Sequence, residues 1–243
     1  MNCKRKLVYA ALALFIFAQA KAQISFGGMP RFIETKSQSN SIVTLSKINN
    51  NTLFEEDINL TGKGSAMRVG VMQDAKYNNK TDGSTITLDN GDRIWTLTIK
   101  SEDATFMSVA FKKFDIPAGA ELYVYDATKE FVIGKFTYES VLPNGDFYTQ
   151  SIPGDQITLE YYEPKEVAGM GVIETEQVCH GYKEIFEMMN HQKGYYGNSE
   201  GNCHINVACE EGDSWRNQIR SVAAYEIIAG GYSYMCSGAL INN

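Results

Sequence analysis

Between about Met67 and Tyr162 the chain holds runs in which apolar residues recur at every second position, and this period constrains the fold more than any other feature of the sequence. Trp95, Leu97 and Ile99 alternate with Thr96, Thr98 and Lys100; Met107, Val109 and Phe111 alternate with Ser108 and Ala110. Leu122 and Val124 face away from Tyr123 and Tyr125, and Ile157, Leu159 and Tyr161 alternate with Thr158 and Glu160. Successive side chains of a strand point to opposite faces, so each run describes a strand with one face on a core. Turn chemistry separates the runs: Asp82-Gly83, Asn90-Gly91-Asp92, Pro117-Ala118-Gly119, Pro143-Asn144-Gly145-Asp146 and Pro153-Gly154-Asp155. The pattern predicts about eight strands, uninterrupted by any long helical period and without a fixed long repeat. The expected fold class is mainly β, a jelly-roll-type β-sandwich over residues 66–163.

Around this centre the chain divides into further segments. Lys4, Arg5 and Lys6 precede the apolar run Leu7–Ala20, and Ala20-Lys21-Ala22 is a small-x-small cleavage signal. Residues 1–22 therefore read as a secretory signal peptide cut before Gln23, the alternative being a short N-terminal anchor. The apolar run is too short for a standard membrane span, so the cleaved chain is not expected to be an integral membrane protein. The whole chain carries a net charge of −7; Gln23–Asn243 keeps 18 basic and 29 acidic residues, net −11. That balance argues against a nucleic-acid partner, which needs a basic surface to release counterions. An exported chain also meets an oxidising compartment, where disulfides form. Residues 23–65, rich in Ser, Asn, Thr and Lys, form a lead-in in which Ile42, Val43, Leu45 and Ile48 supply one short strand or docking segment. Pro164 ends the sandwich in this reading, and 164–201 is a connector with a short helix from Tyr182 to Met189. The Gly-rich polar stretch Lys193–Gly201 is either an exposed linker with Lys193 as its processing site or an ordinary uncut loop.

The last segment, 202–243, holds Cys203-His204-Ile205-Asn206-Val207-Ala208-Cys209, then Glu210-Glu211-Gly212-Asp213, then Ile219-Arg220-Ser221-Val222-Ala223-Ala224-Tyr225. After Ala229-Gly230-Gly231 comes Tyr234-Met235-Cys236-Ser237-Gly238-Ala239-Leu240-Ile241-Asn242-Asn243. Physically this is a pair of strands joined by a hairpin, which is marginal in water and must join a larger sheet. The order Cys-x5-Cys, Glu-Gly-Asp, Ile-Arg-x-Val-x-Ala-Tyr and Cys-x-Gly-x-Leu-Ile-Asn-Asn resembles the start of the chymotrypsin-like serine peptidases, most closely the bacterial lysyl endopeptidases. Ile24–Pro30, Leu122–Asp126, Gly154–Glu160 and Val178–Tyr182 resemble the precursor region of that family. The resemblance implies a secreted endopeptidase that cleaves protein or peptide substrates after Lys. It implies a pro-domain sandwich followed by the first strands of an incomplete trypsin-like β-barrel. It also implies that Cys203, Cys209 and Cys236 pair with cysteines further along the peptidase domain.

The residues themselves carry no acyl-transfer machinery. That chemistry needs a Ser nucleophile, a His base, an Asp that orients it and an oxyanion hole. No Gly-x-Ser-Gly setting exists in the sequence, and its three histidines, His180, His191 and His204, follow no pattern that aims them at Ser237. In the family the catalytic His, Asp and Ser lie beyond the Asn-Asn counterpart of Asn242-Asn243. No catalytic residue is therefore assigned, and the chain is expected to be a fragment that is inactive as given. Cys203, His204 and Cys209 lack the fourth ligand and close spacing of structural zinc, and disulfide use is preferred to metal. No dense Asp-x-Asp pattern marks a calcium loop, and no cofactor is expected. Cys203 and Cys209 on one extended segment would be ~20 Å apart at ~3.3 Å per residue, too far to bridge each other. The alternative function is a secreted non-catalytic β-sandwich that binds a partner, or a pro-region acting as chaperone or inhibitor.

Overall fold

A computed structural model describes residues 25–31, 41–60, 66–142, 145–190 and 210–240. In chain order its strands are β1 (Ile42–Thr44), β2 (Met67–Asp74), β3 (Ser84–Thr87), β4 (Arg93–Lys100), β5 (Phe106–Asp115), β6 (Glu121–Asp126) and β7 (Val132–Phe136). They continue with β8 (Phe147–Tyr148), β9 (Ile152–Pro153), β10 (Gln156–Glu163), β11 (Val172–Gly181), β12 (Val222–Ala229) and β13 (Tyr232–Ala239). Three helices, α1 (Asn50–Leu60), α2 (Ile185–Asn190) and α3 (Arg216–Ser221), are short.

The fold is mainly β, as the two-residue period requires. One sheet has the order β1-β4-β10-β6-β7, with β3 also on β4; the other has β12-β13-β2-β11-β5-β8, with β9 also on β5. The alternating residues meet between the sheets. Trp95, Leu97, Ile99, Leu122, Val124, Ile157, Leu159 and Tyr161 come from the first, and Met107, Val109, Phe111, Phe114, Ile173 and Val178 from the second. Phe114 stacks on Phe147 with centroids 4.1 Å apart, and Phe136 meets Phe147 edge-on at 5.1 Å. The turn at Asp82-Gly83 shows why glycine stands there. Gly83 has φ +80°, and a Cβ would lie 2.5 Å from the Thr96 carbonyl oxygen and from the Trp95 indole nitrogen. That indole donates to the Asp82 carbonyl at 2.6 Å and locks Trp95 in the core.

The expected boundaries shift in two places. The sandwich continues beyond residue 163: Val172–Gly181, expected in the connector, is a ten-residue strand at the centre of its sheet. It pairs antiparallel with β2 on one side and β5 on the other. Two register shifts near Thr175 break its period of two. Its buried positions include polar residues, which gives it the composition of a linker. The Thr175 hydroxyl accepts from the Tyr77 amide at 3.0 Å and donates to the Ala75 carbonyl. The crossover from β10 is fixed by Glu163, whose carboxylate accepts from Gly169 N at 2.8 Å and Gly171 N at 3.0 Å. Pro164 therefore opens a short tied loop. The second shift is at the hairpin, where β13 pairs with β2 through Tyr232–Val71, Ser233–Gly70, Tyr234–Arg68 and Met235–Met67. The expected separate strand pair is an extension of the sandwich sheet. In the lead-in, β1 lies parallel to β4 and α1 follows it. Residues 25–31 run beside β7, with Phe26 N bonded to Lys135 O at 3.0 Å and Lys135 N to Gly27 O at 2.8 Å.

The central position of β11 predicts that a chain ended at Glu163 will not give the cooperative unfolding of a chain ended at Asn190. Ile173→Ala should cost about 2–5 kcal/mol by cavity formation. Urea unfolding followed by circular dichroism measures both.

Candidate functional site

The sheet that contains the hairpin curls so that its two ends approach one another. From β12 to β9 there are five strand spacings, ~24 Å if flat at ~4.8 Å each. Yet the Ser151 hydroxyl, next to β9, donates to Glu226 on β12 at 2.7 Å. The same carboxylate accepts from Ser233 on β13 at 2.5 Å. Ser233 lies beside Gly70 and the Cys179 thiol, where a Cβ on Gly70 would sit 2.5 Å from Cys179 Sγ. Cys179 is on the face of β11 opposite the core residue Val178, so the sheet closes around its outer face into a half-barrel.

The inside of that half-barrel is an open groove of about 580 Å³ lined by Phe131, Tyr148, Phe186, Tyr225, Glu226 and Met235, among others. A second space of about 370 Å³ shares Tyr148, Thr149 and Glu226 and reaches Ser108. Phe131 comes from the β6–β7 turn and meets Phe186 of α2 edge-on at 5.4 Å. Ile185 of α2 is buried beside Phe106, Ala110 and Cys179 in a small satellite core. Burial pushes the Cys179 thiol well above the usual thiol range, and the Glu226 charge adds to the effect, so at neutral pH it is not a thiolate. A small, mostly apolar groove with a few polar groups is the usual form of a binding site.

The half-barrel is held to α1 by Arg68 on β2. Its Nε lies 2.8 Å from Asp57, its Nη1 3.0 Å from Glu56, and its Nη2 donates to the Leu53 carbonyl at 3.0 Å. Tyr182 donates to Asp57 at 2.8 Å, and Lys183 pairs with the same carboxylate at 2.7 Å. Burial pushes the Asp57 carboxyl up, but the Lys183 and Tyr182 bonds outweigh it and hold the group below the ordinary carboxylate range. The Arg68 guanidinium also lies 4.7 Å from the Tyr232 ring centroid on β13. Sequence reasoning did not single out this knot, because its members are far apart in the chain. The one local cue was the isolated Arg68 inside an apolar strand.

His180, expected in a connector, is fully buried in β11. Its Nδ1 is 2.8 Å from Ser101 Oγ and its Nε2 is 2.8 Å from Asn50 Oδ1. A Ser–His contact at this distance resembles half a catalytic triad. Ser101, however, is 1% exposed, and neither residue lines any of the cavities described above. The trio ties α1 to the sandwich. Burial lowers the His180 pKa, so the ring is held neutral.

Of the residues singled out from sequence, Cys236 lies half-buried in β13, and it and Cys179 carry free thiols. Cys203, Cys209 and Lys193 lie outside the described residues, as do His191, His204 and the leader 1–22. Among the described residues no group of three His, Cys, Asp or Glu side chains is placed to hold a metal ion. No helix there is long and apolar enough to cross a membrane.

The comparisons fall on the hairpin side of this site. The family model described as lysyl endopeptidase, C-terminal domain, matches residues 197–243, a stretch that includes α3, β12 and β13. No solved structure matches the chain. The match covers the C-terminal segment alone, so it is residues 197–243 that are similar to a lysyl endopeptidase domain.

Two outcomes follow from the buried network. Arg68→Ala leaves Asp57 with Lys183 and Tyr182 but deprives the buried Leu53 carbonyl of its donor; it should destabilise the fold by about 1–3 kcal/mol and make the hairpin easier to proteolyse. His180 binds its proton less readily when folded than when unfolded, where its pKa is about 6.5. Its contribution is therefore complete above about pH 6.5, and stability falls as pH drops below that value, toward the folded pKa. His180→Gln should flatten this slope in urea unfolding measured between pH 5 and pH 7.

Proposed function

We propose that the chain is the N-terminal portion of a secreted lysyl endopeptidase precursor. In this reading residues 1–22 direct export, residues 23 to about 190 form a β pro-region, and residues 202–243 are the opening strands of a trypsin-like peptidase domain that cleaves after Lys. Cleavage at Lys193 would separate the two parts. The observation that carries the reading is the family match over 197–243. The pairing of β13 with β2 supports a pro-region that holds the first peptidase strands in extended form.

A second reading is favoured by the groove, a formed apolar cleft with converging polar groups. In it the half-barrel is a secreted, non-catalytic binding module.

The 243-residue chain is expected to release no product from a Lys p-nitroanilide, since loss of triad members costs several orders of magnitude in rate. The codons after Asn243 separate the readings. A His-Cys block followed by a Gly-x-Ser-Gly block is expected; a stop codon there with neither block would overturn the precursor reading.

A further inference from the structure

Arg68 holds two elements at once. On one side its guanidinium reaches the Leu53 carbonyl, Glu56 and Asp57 of α1 at 3.0, 3.0 and 2.8 Å. On the other it lies 4.7 Å from the centre of the Tyr232 ring on β13, within the range of a cation–π contact. The ladder between β13 and β2 breaks its register between Ser233–Gly70 and Tyr234–Arg68, so this side-chain support falls where the ladder is interrupted. The helix on the far side is weak by itself. Its eleven residues are fewer than the ~12–15 that an isolated helix needs in water. Asn50, Asn51, Thr52 and Asn59 are poor helix formers, and Phe54 and Ile58 are exposed while Leu53 is buried. Such an element depends on tertiary ties, here the Asn50–His180 bond and the Arg68 knot, and it opens before the sheets do.

We propose that α1 is a release lever for the hairpin: detaching α1 draws Arg68 away from Tyr232 and loosens β12–β13 from β2. Once α1 leaves, Arg68 keeps the Tyr182 hydroxyl, 3.0 Å from its Nε, but loses two carboxylates and a carbonyl. The guanidinium is 5% exposed, and an uncompensated charge is too costly to stay in the interior. It turns out to water, and the Tyr232 ring loses the surface on which it packs. The coupling runs both ways, so an undocked hairpin also loosens α1. The inference goes beyond the precursor reading and does not require it, because the lever is a property of the docked fold.

Residue-resolved amide exchange of the full chain is the test, with the Met72 amide, bonded to the Gly231 carbonyl at 2.8 Å, as the reporter of undocking. Glu55→Pro breaks α1 from an exposed position in its interior. The Met72 amide should then exchange about tenfold faster, the scale of a typical coupling between two sites. Leu97 and Leu159, in β4 and β10 of the other sheet, should keep their rates. Tyr232→Leu removes the ring beside Arg68, and in that background Glu55→Pro should accelerate Met72 by less than about twofold. Should Tyr232→Leu fail to fold, Arg68→Met, which cuts the link from the other side, takes its place with the same expectation. Unchanged Met72 exchange in Glu55→Pro, an equal acceleration at Leu97 and Leu159, or a full effect that persists once the link is cut would overturn the proposal.

Discussion

The ladder formed by Val172–Gly181 is the constraint on which the rest of the molecule depends. It joins β2 to β5, and so it joins the part of the sheet that carries the hairpin to the part that packs against the other sheet. Each successive residue of this strand serves a different neighbour. Val178 faces the main core, Cys179 faces the half-barrel, and His180 ties the sheet to α1 through Asn50. Tyr182, just past its end, joins the Arg68–Asp57 knot. Without the strand, β2 has no sheet to extend and the hairpin has nothing to dock on.

Given that strand, curling of the sheet accounts for the candidate site. The main core covers one face of the sheet and leaves the other open. Phe106, Cys179 and Ile185 bury part of that outer face, and the Ser151–Glu226 bond brings the edges toward closure. A groove bounded by two edges follows from the geometry of a curled sheet with too few strands to close. The hairpin contributes one wall, and it is also the segment that the lysyl endopeptidase match covers.

The legibility of the sequence varied with burial pattern. Strands β4, β5, β6 and β10 were readable because both the alternation and the turn glycines are local signals. Strand β11 was not, since bulges at Thr175 disrupt its period and its buried polar groups, Thr175 and His180, are satisfied by residues about 80 to 130 positions away. The hairpin was readable as two strands, but its partner β2 lies some 160 residues earlier, and a pairing across that distance leaves no mark in either strand. The groove was illegible for a similar reason. Nothing in the sequence singles out Glu226 among the acidic residues, and only the curl of the sheet sets it beside Ser151 and Ser233.

Docking of the peptidase-like hairpin onto the sandwich is the central claim, and amide hydrogen exchange of the intact chain tests it most directly. The Met72 amide is bonded to the Gly231 carbonyl at 2.8 Å, and the four residue pairs from Tyr232–Val71 to Met235–Met67 form one ladder. The account predicts that the amides of β13 between Tyr232 and Met235 are protected together with those of β2 and β11, opening only with the global unfolding of the sheet. Exchange of the whole segment 222–239 at the rate of an unstructured chain, with β2 to β11 fully protected, would contradict it.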